Sequence, residues 1–139
     1  MIVALDTMIF IYLFELRSQY LPQIQLLFDR IERKELQAVT SFISPLEVFS
    51  SPAFEEVPDK LMLYTRFFQK TPNLTVVPFD WKVALQAAEL RRKYKPLKTP
   101  DAVQIATAIV AQADMFITND DRLTHLMIPF KITLLDTYQ

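Results

Sequence analysis

Cysteine and glycine are both absent from this chain of 139 residues, and histidine occurs once, as His125. Without cysteine the chain has no disulfide framework and no thiolate metal site. A single histidine also excludes zinc sites built from Cys and His, and any catalytic arrangement of two histidines. Carboxylates are therefore the main chemical resource of the sequence.

The absence of glycine excludes a second group of functions. Phosphate-binding loops of the P-loop and Rossmann kinds need glycine at fixed positions, so nucleotide binding in those modes is set aside. The formal net charge of −1 gives no global attraction toward nucleic acid or an anionic membrane, so any such binding must be local.

A hydrophobic content of 51% and a charged content of 22% indicate one globular domain over residues 1–139. Residues 1–14 are mostly apolar, but they lack a basic segment, are interrupted by Asp6 and are too short to span a bilayer. We therefore expect no signal peptide, no membrane contact and a cytoplasmic location.

Short apolar strands alternate with helices along the chain. The predicted strands are 2–5, 36–40, 74–77, 115–118 and 132–135, and the helices between them include 7–17, 19–34, 59–70 and 80–94. A further helix is predicted to begin with Thr99 as N-cap and Pro100 at its first position. This alternation predicts an α/β fold with a mostly parallel sheet covered on both faces.

Four acidic residues fall where such a fold brings side chains together. Asp6 and Asp120 follow predicted strands, Glu47 lies shortly after the second strand, and Asp101 is in the first turn of the most apolar helix. Strand ends and the first turns of the helices that follow face one crevice at the carboxyl edge of a parallel sheet. We expect these four acids to converge there.

Each acid also has a structural interpretation that the residues alone leave open. Asp6 is a good N-cap, Ser44 and Glu47 match a capping box, and Asp101 suits the dipole of its helix. Asp120 lies in an Asn-Asp-Asp turn whose side chains could bond the backbone.

Carboxylates that share a crevice repel one another and are costly to desolvate unless a cation is present. Mg²⁺ and Mn²⁺ prefer oxygen ligands and bridge carboxylates to phosphate oxygens. The corresponding chemistry is metal-assisted phosphodiester hydrolysis, which needs no histidine or serine nucleophile.

Four segments together resemble the PIN-domain family of nucleases, and within it the VapC-like toxins of prokaryotic toxin–antitoxin pairs. The segments are VALDTMIFIY from Val3, TSFISPLE from Thr40, TPDAVQIATA from Thr99 and FITND from Phe116. The resemblance covers nearly the full length, and the order and spacing of the segments agree with the family.

The resemblance implies a three-layer α/β/α fold and an Mg²⁺- or Mn²⁺-dependent ribonuclease. Asp6, Glu47, Asp101 and Asp120 match the metal-binding acids of the family, and Thr7 and Thr118 match hydroxyl positions that support them. Family members are usually homodimers, neutralised by a small antitoxin that docks over the active-site groove.

Two departures from the family pattern keep alternatives open. Met8 stands where the family commonly has a polar residue, and Pro45 could shift the helix that carries Glu47. One alternative is a PIN-fold module that binds RNA or protein without cleaving. A haloacid-dehalogenase-type phosphatase would need a second Asp where Met8 stands.

Basic residues are concentrated immediately before Asp101. We expect them to bind RNA phosphates, although basic residues at a helix end also suit its dipole. These residues are Arg91, Arg92, Lys93, Lys95 and Lys98.

Overall fold

The computed structural model describes residues 1–139, in which five strands form one parallel sheet. The strands are β1 (Ile2–Leu5), β2 (Gln37–Ser41), β3 (Leu74–Val77), β4 (Met115–Thr118) and β5 (Lys131–Leu134). Their spatial order is β3-β2-β1-β4-β5, and all four pairings are parallel. The predicted mostly parallel sheet is thus parallel throughout, with the first strand in its centre.

Seven α-helices connect and cover the strands. They are α1 (Thr7–Phe14), α2 (Leu21–Glu32), α3 (Ile43–Phe49), α4 (Ala53–Glu56), α5 (Pro58–Lys70), α6 (Trp81–Lys93) and α7 (Thr99–Val110). Two short 3₁₀ helices, Asp121–His125 and Leu135–Thr137, follow β4 and β5. None of the helices is long and apolar enough to cross a membrane.

Two apolar cores lie on opposite faces of the sheet and make the fold a three-layer α/β/α sandwich. Side chains from α1, α2, α3 and α5 build one core, and α6 and α7 build the other. The central strand serves both, because Val3 and Leu5 enter the first core while Ala4 enters the second. The predicted fold class is therefore confirmed.

The sequence predictions differ from the structure mainly at helix ends. The first helix ends at Phe14 rather than near residue 17, because Leu16 adopts a left-handed backbone conformation (φ 53°) that stops it. The short helix α4 and both 3₁₀ helices were not predicted, since such short elements carry little periodicity.

The predicted cap of α7 is wrong. Lys98 occupies the N-cap position without a side-chain cap, and Thr99 is the first helical residue. Pro100 still lies in the first turn, where its missing N–H costs no helical hydrogen bond.

Candidate active site

Asp6 lies at the carboxyl end of the central strand and is almost fully buried, with 8% of its surface exposed. One carboxylate oxygen accepts the backbone N–H of Thr7 at 2.8 Å, which makes Asp6 the N-cap of α1. The other oxygen accepts the hydroxyl of Thr118 at 2.6 Å. The capping interpretation of Asp6 is therefore correct, and the same side chain is also fixed toward the end of β4.

Burial raises the pKa of Asp6 to about 6, although the hydrogen bonds from Thr118 and Thr7 favour the ionised form. The negative charges of Asp101 and Glu47 raise this pKa further. Three of the four predicted acids, contributed by three different parts of the chain, therefore interact electrostatically at this edge of the sheet.

Glu47 extends from α3 toward the start of α1, where its Oε1 accepts the hydroxyl of Thr7 at 2.6 Å. The predicted capping box is wrong, because α3 begins at Ile43 with Phe42 as N-cap and has no side-chain cap. Ser44 instead lies inside the helix and is fully buried.

Gln104 of α7 connects the polar groups beneath Glu47, and sequence reasoning missed it. Its amide nitrogen lies 2.9 Å from both the Thr7 and the Ser44 hydroxyl oxygens, and its Oε1 accepts the Ser41 hydroxyl at 2.9 Å. A glutamine among the apolar residues of α7 was the available signal, since a buried amide needs partners.

The hydroxyl protons of this network have only one consistent arrangement. Thr40 donates to the carbonyl of Leu5 at 2.8 Å, so the Ser44 hydroxyl must donate to Thr40 across 2.6 Å. Thr7 donates to Glu47 and accepts from Gln104. Gln104 therefore makes Thr7 a donor with a fixed direction, and Thr7 in turn orients Glu47.

Asp101 lies in the first turn of α7 and is partly buried. Burial raises its pKa, and the charges of Asp120 and Glu47 raise it further, against the opposing effects of Arg122 and Lys98. The position in the first turn that suggested a helix-dipole role is confirmed, but repulsion and burial outweigh any lowering of this pKa.

Asp120 follows β4 and is paired with Arg122, a residue that sequence reasoning also missed. The guanidinium donates from Nε at 2.9 Å and from Nη2 at 2.6 Å to the two carboxylate oxygens. Asp120 also accepts the backbone N–H of Arg122 at 3.0 Å, so the predicted turn role is present as well. These bonds to Arg122 lower the pKa of Asp120.

The four acids thus share one edge but have different partners. No group of three or more Asp, Glu or His side chains already has an arrangement that could hold a metal ion. Glu47 is held by Thr7, and Asp120 is held by Arg122.

The five basic residues predicted to bind RNA lie on the end of α6, in the loop after it and at the N-cap of α7. Arg91, Arg92 and Lys93 form the last turn of α6, where Lys93 lies 5.4 Å from the ring centre of Tyr94. Lys95 is exposed in the following loop, and Lys98 is close enough to Asp101 to influence its pKa. Lys98 is therefore the member of this set that the structure brings to the acids.

The two departures from the family pattern have distinct structural outcomes. Met8 packs against the apolar core beneath α1. Pro45 is the third residue of α3, within the first turn, where a proline leaves no helical hydrogen bond unmade. Pro45 therefore does not displace the start of the helix that carries Glu47.

Comparison with known proteins shows similarity over nearly the whole chain. The sequence model of the PIN domain matches residues 3–127. No curated protein matches the chain by sequence.

Three solved structures, one of them a toxin–antitoxin complex and two of them VapBC structures, have a similar fold. VapBC2 from Rickettsia felis, bound to a DNA fragment from its promoter, has a TM-score of 0.68 and 22% identity over 96% of this chain and 98% of that one. A toxin–antitoxin complex from Klebsiella pneumoniae has a TM-score of 0.65 and 24% identity, covering 94% and 99%. VapBC-1 from nontypeable Haemophilus influenzae has a TM-score of 0.65 and 21% identity, covering 97% and 98%.

At these identities the three structures show a shared fold, and the sequence model supplies the family. The match covers all four acids as well as Thr7, Gln104 and Arg122. The chain belongs to the PIN domain family.

Proposed function

We propose that this protein is a metal-dependent endoribonuclease that hydrolyses phosphodiester bonds in RNA. The observation that carries the proposal is the set of four acids at the carboxyl edge of the sheet, where Asp6 has a pKa of about 6 because it is buried beside other carboxylates. Such a concentration of negative charge in a cleft favours a divalent cation.

The donor set fits Mg²⁺ or Mn²⁺, which take carboxylate oxygens and water as ligands. Asp6, Glu47, Asp101 and Asp120 are the residues that would hold the ion. When bound, such an ion lowers the pKa of a water molecule and stabilises charge on phosphate oxygens.

The chain's own residues prepare the site by restricting the acids. Thr118 and the Thr7 N–H hold the two oxygens of Asp6, and the Thr7 hydroxyl holds Glu47. Neighbouring groups that orient a ligand in this way commonly tune its affinity. These hydrogen bonds support the proposal that Thr7 and Thr118 assist the acids in holding an ion.

Phosphate recognition is assigned to the basic side chains near Asp101. Lys98 and Arg122 both influence the pKa of Asp101, so their positive charges are close to the acids. Arg91, Arg92, Lys93 and Lys95 supply a wider basic surface that would contribute salt-dependent affinity for the RNA backbone.

We further propose that the protein acts as the toxin of a toxin–antitoxin pair and forms a homodimer. One of the similar structures is a toxin–antitoxin complex and two others are VapBC structures, which supports an antitoxin partner. A cavity of about 610 Å³ beside Glu47, lined by Phe14, Phe54, Tyr64 and Lys60 among others, offers apolar surface and one cation for such a partner.

The activity is tested by incubating the purified chain with RNA and Mn²⁺ or Mg²⁺. We expect cleavage that is abolished by EDTA and by Asp6→Asn, a substitution that keeps the shape of the side chain. RNA that stays intact with either metal, in the absence of any antitoxin, would contradict the proposal. Binding of RNA without cleavage would instead favour a non-cleaving PIN module.

A further inference from the structure

A second, smaller cavity of about 230 Å³ lies next to Asp101, between the loop before α7 and the 3₁₀ helix after β4. We call it the flanking pocket. Its apolar part is formed by Tyr94, Leu97, Leu123 and Leu126, and its polar part by Lys98, Asp101, Arg122 and His125. One wall therefore belongs to the candidate active site, and the others do not.

The polar part of the flanking pocket carries cationic groups with unused hydrogen-bonding capacity. The ion pairs of the structure join Arg17 to Glu15, Arg33 to Glu35 and Arg122 to Asp120, so no carboxylate lies within ion-pair distance of the Lys98 ammonium. Arg122 uses Nε and Nη2 for Asp120, which leaves Nη1 available. We call this polar part of the pocket the rim and the apolar part the floor. An anionic group at the rim would contact both cations.

The apolar part of the pocket is held in place by the surrounding fold. Leu97 and Leu123 are buried, with 8% and 3% of their surfaces exposed. The Tyr94 hydroxyl accepts the Met127 N–H at 2.8 Å and lies 3.3 Å from the Met127 carbonyl oxygen, which fixes the ring. A flat apolar ligand would find a preformed surface here.

We propose that the flanking pocket binds one nucleotide of the RNA next to the cleaved bond. The base lies against Tyr94 and the leucines, and the phosphate faces Lys98 and Arg122 beside Asp101. Inorganic phosphate would use only the rim and an apolar peptide only the floor, whereas a nucleotide uses both. The proposal rests on the proposed ribonuclease function, since it concerns the substrate of the same site.

The test measures binding of 5′-mononucleotides (CMP, UMP, AMP and GMP) to ¹⁵N-labelled protein by NMR, in EDTA so that no cleavage occurs. Ribose 5-phosphate serves as the ligand without a base. We expect saturable shifts of amides around Leu97, Leu123 and Leu126, and tighter binding of at least one nucleotide than of ribose 5-phosphate. Equal affinity for nucleotides and ribose 5-phosphate would overturn the proposal.

Two substitutions test the contributions of the rim and the floor to nucleotide binding separately. Lys98→Gln should weaken nucleotide binding about fivefold, whereas Lys70→Gln, at an exposed position at the end of α5 and outside the pocket, should leave it unchanged. Leu126→Trp fills the floor and should remove the preference for nucleotides over ribose 5-phosphate. The spectrum of each free variant shows whether it is folded. Equal nucleotide affinities for Lys98→Gln and Lys70→Gln would contradict the role of the rim.

The outcome is independent of the cleavage assay. A protein that cleaves RNA with Mn²⁺ but shows no nucleotide binding in EDTA would overturn the flanking pocket and leave the proposed function standing. A protein that binds nucleotides at these residues but never cleaves RNA would overturn the proposed activity and leave the binding site standing.

Discussion

At the scale of single residues, Asp6 combines a structural and a chemical role that work against each other. Its carboxylate caps α1, yet burial makes the ionised form unfavourable and raises the pKa to about 6. Because the folded protein then holds a proton more tightly than the unfolded chain, stability falls as the pH rises from about 4 to about 6 and is level above that.

Asp6→Asn is therefore expected to stabilise the protein at neutral pH. Asparagine keeps an oxygen for the Thr7 N–H and removes the buried charge. A displacement of the pKa from 3.8 to about 6 corresponds to at most about 3 kcal/mol. In urea unfolding at several pH values, the free energy of unfolding of Asp6→Asn should increase relative to that of the wild type between pH 4 and pH 6. Asp29→Asn, at an exposed position, is the control. If the stability of Asp6→Asn changes with pH in parallel with that of the wild type, the prediction is contradicted.

Arg122 supplies the second prediction at this scale. Its guanidinium holds both oxygens of Asp120, so a metal ion that needs this acid must compete with it. Arg122→Gln should tighten Mn²⁺ binding about threefold to fivefold, measured by calorimetry.

The matched control for Arg122→Gln is Arg33→Gln. Arg33 also has an acidic neighbour, Glu35, but lies before β2, at the opposite edge of the sheet. An equal change in Mn²⁺ affinity in both variants would point to net charge alone, and an unchanged affinity in Arg122→Gln would rule out competition for Asp120.

At the scale of elements, Gln104 joins helices from the two opposite layers. It lies on α7 and donates to Thr7 of α1 and to Ser44 of α3. Gln104→Met keeps the approximate size but leaves three buried hydroxyl groups without this partner. We expect a loss of about 2 kcal/mol in the free energy of unfolding, measured in urea.

Gln25→Met is the control for this substitution, because Gln25 is exposed on α2 and should change stability by less than about 0.5 kcal/mol. If Gln104→Met unfolds at the same urea concentration as Gln25→Met, the polar network contributes little to the joining of the layers.

Three helices end in the same backbone motif without the residue that usually forms it. After α1, α2 and α7, the residues Leu16, Lys34 and Gln112 have φ values of 53°, 64° and 58°, and the N–H groups around them bond back to the last helical turn. Glycine is the usual residue there because it has no Cβ to strain the left-handed conformation.

Lys34→Gly and Gln112→Gly should therefore each stabilise the protein by about 0.5–1 kcal/mol in urea unfolding. Gln25→Gly, in the interior of α2, should have the opposite effect and destabilise by about 0.5–1 kcal/mol. A loss of stability in both Lys34→Gly and Gln112→Gly would show that the lysine and glutamine side chains stabilise the protein by more than the backbone strain destabilises it.

At the scale of the whole molecule, the helices and strands were easier to predict from the sequence than the contacts between individual side chains. The strands were predictable because buried parallel strands are continuous apolar runs, and their ends located Asp6 and Asp120. The pairing of Asp120 with Arg122 and the contacts of Gln104 were not predictable, since they depend on which side chains converge in space. The capping box at Ser44 failed for the same reason, because tertiary contacts placed the start of α3 two residues after β2.

The four acids come from both helical layers, so a bound ion should stabilise the whole domain rather than one helix. Mn²⁺ at about 100 times its dissociation constant should add about 2.7 kcal/mol to the free energy of unfolding. Hydrogen exchange should slow in α1 and in α7 alike. Asp101→Asn should reduce both effects, and protection confined to α1 would show that the ion does not reach α7.

The position of β1 in the sheet also sets the order in which the site is completed during synthesis. β1 leaves the ribosome before the other four strands, but it pairs with β4, whose residues follow more than a hundred positions later. The backbone N–H of Asp6 donates to the carbonyl of Ile117, and the Asp6 carboxylate accepts the hydroxyl of Thr118. A nascent chain can build the β3-β2-β1 half of the sheet without them. The cluster of acids is therefore complete only after Asp120 has left the ribosome, late in the synthesis of the domain.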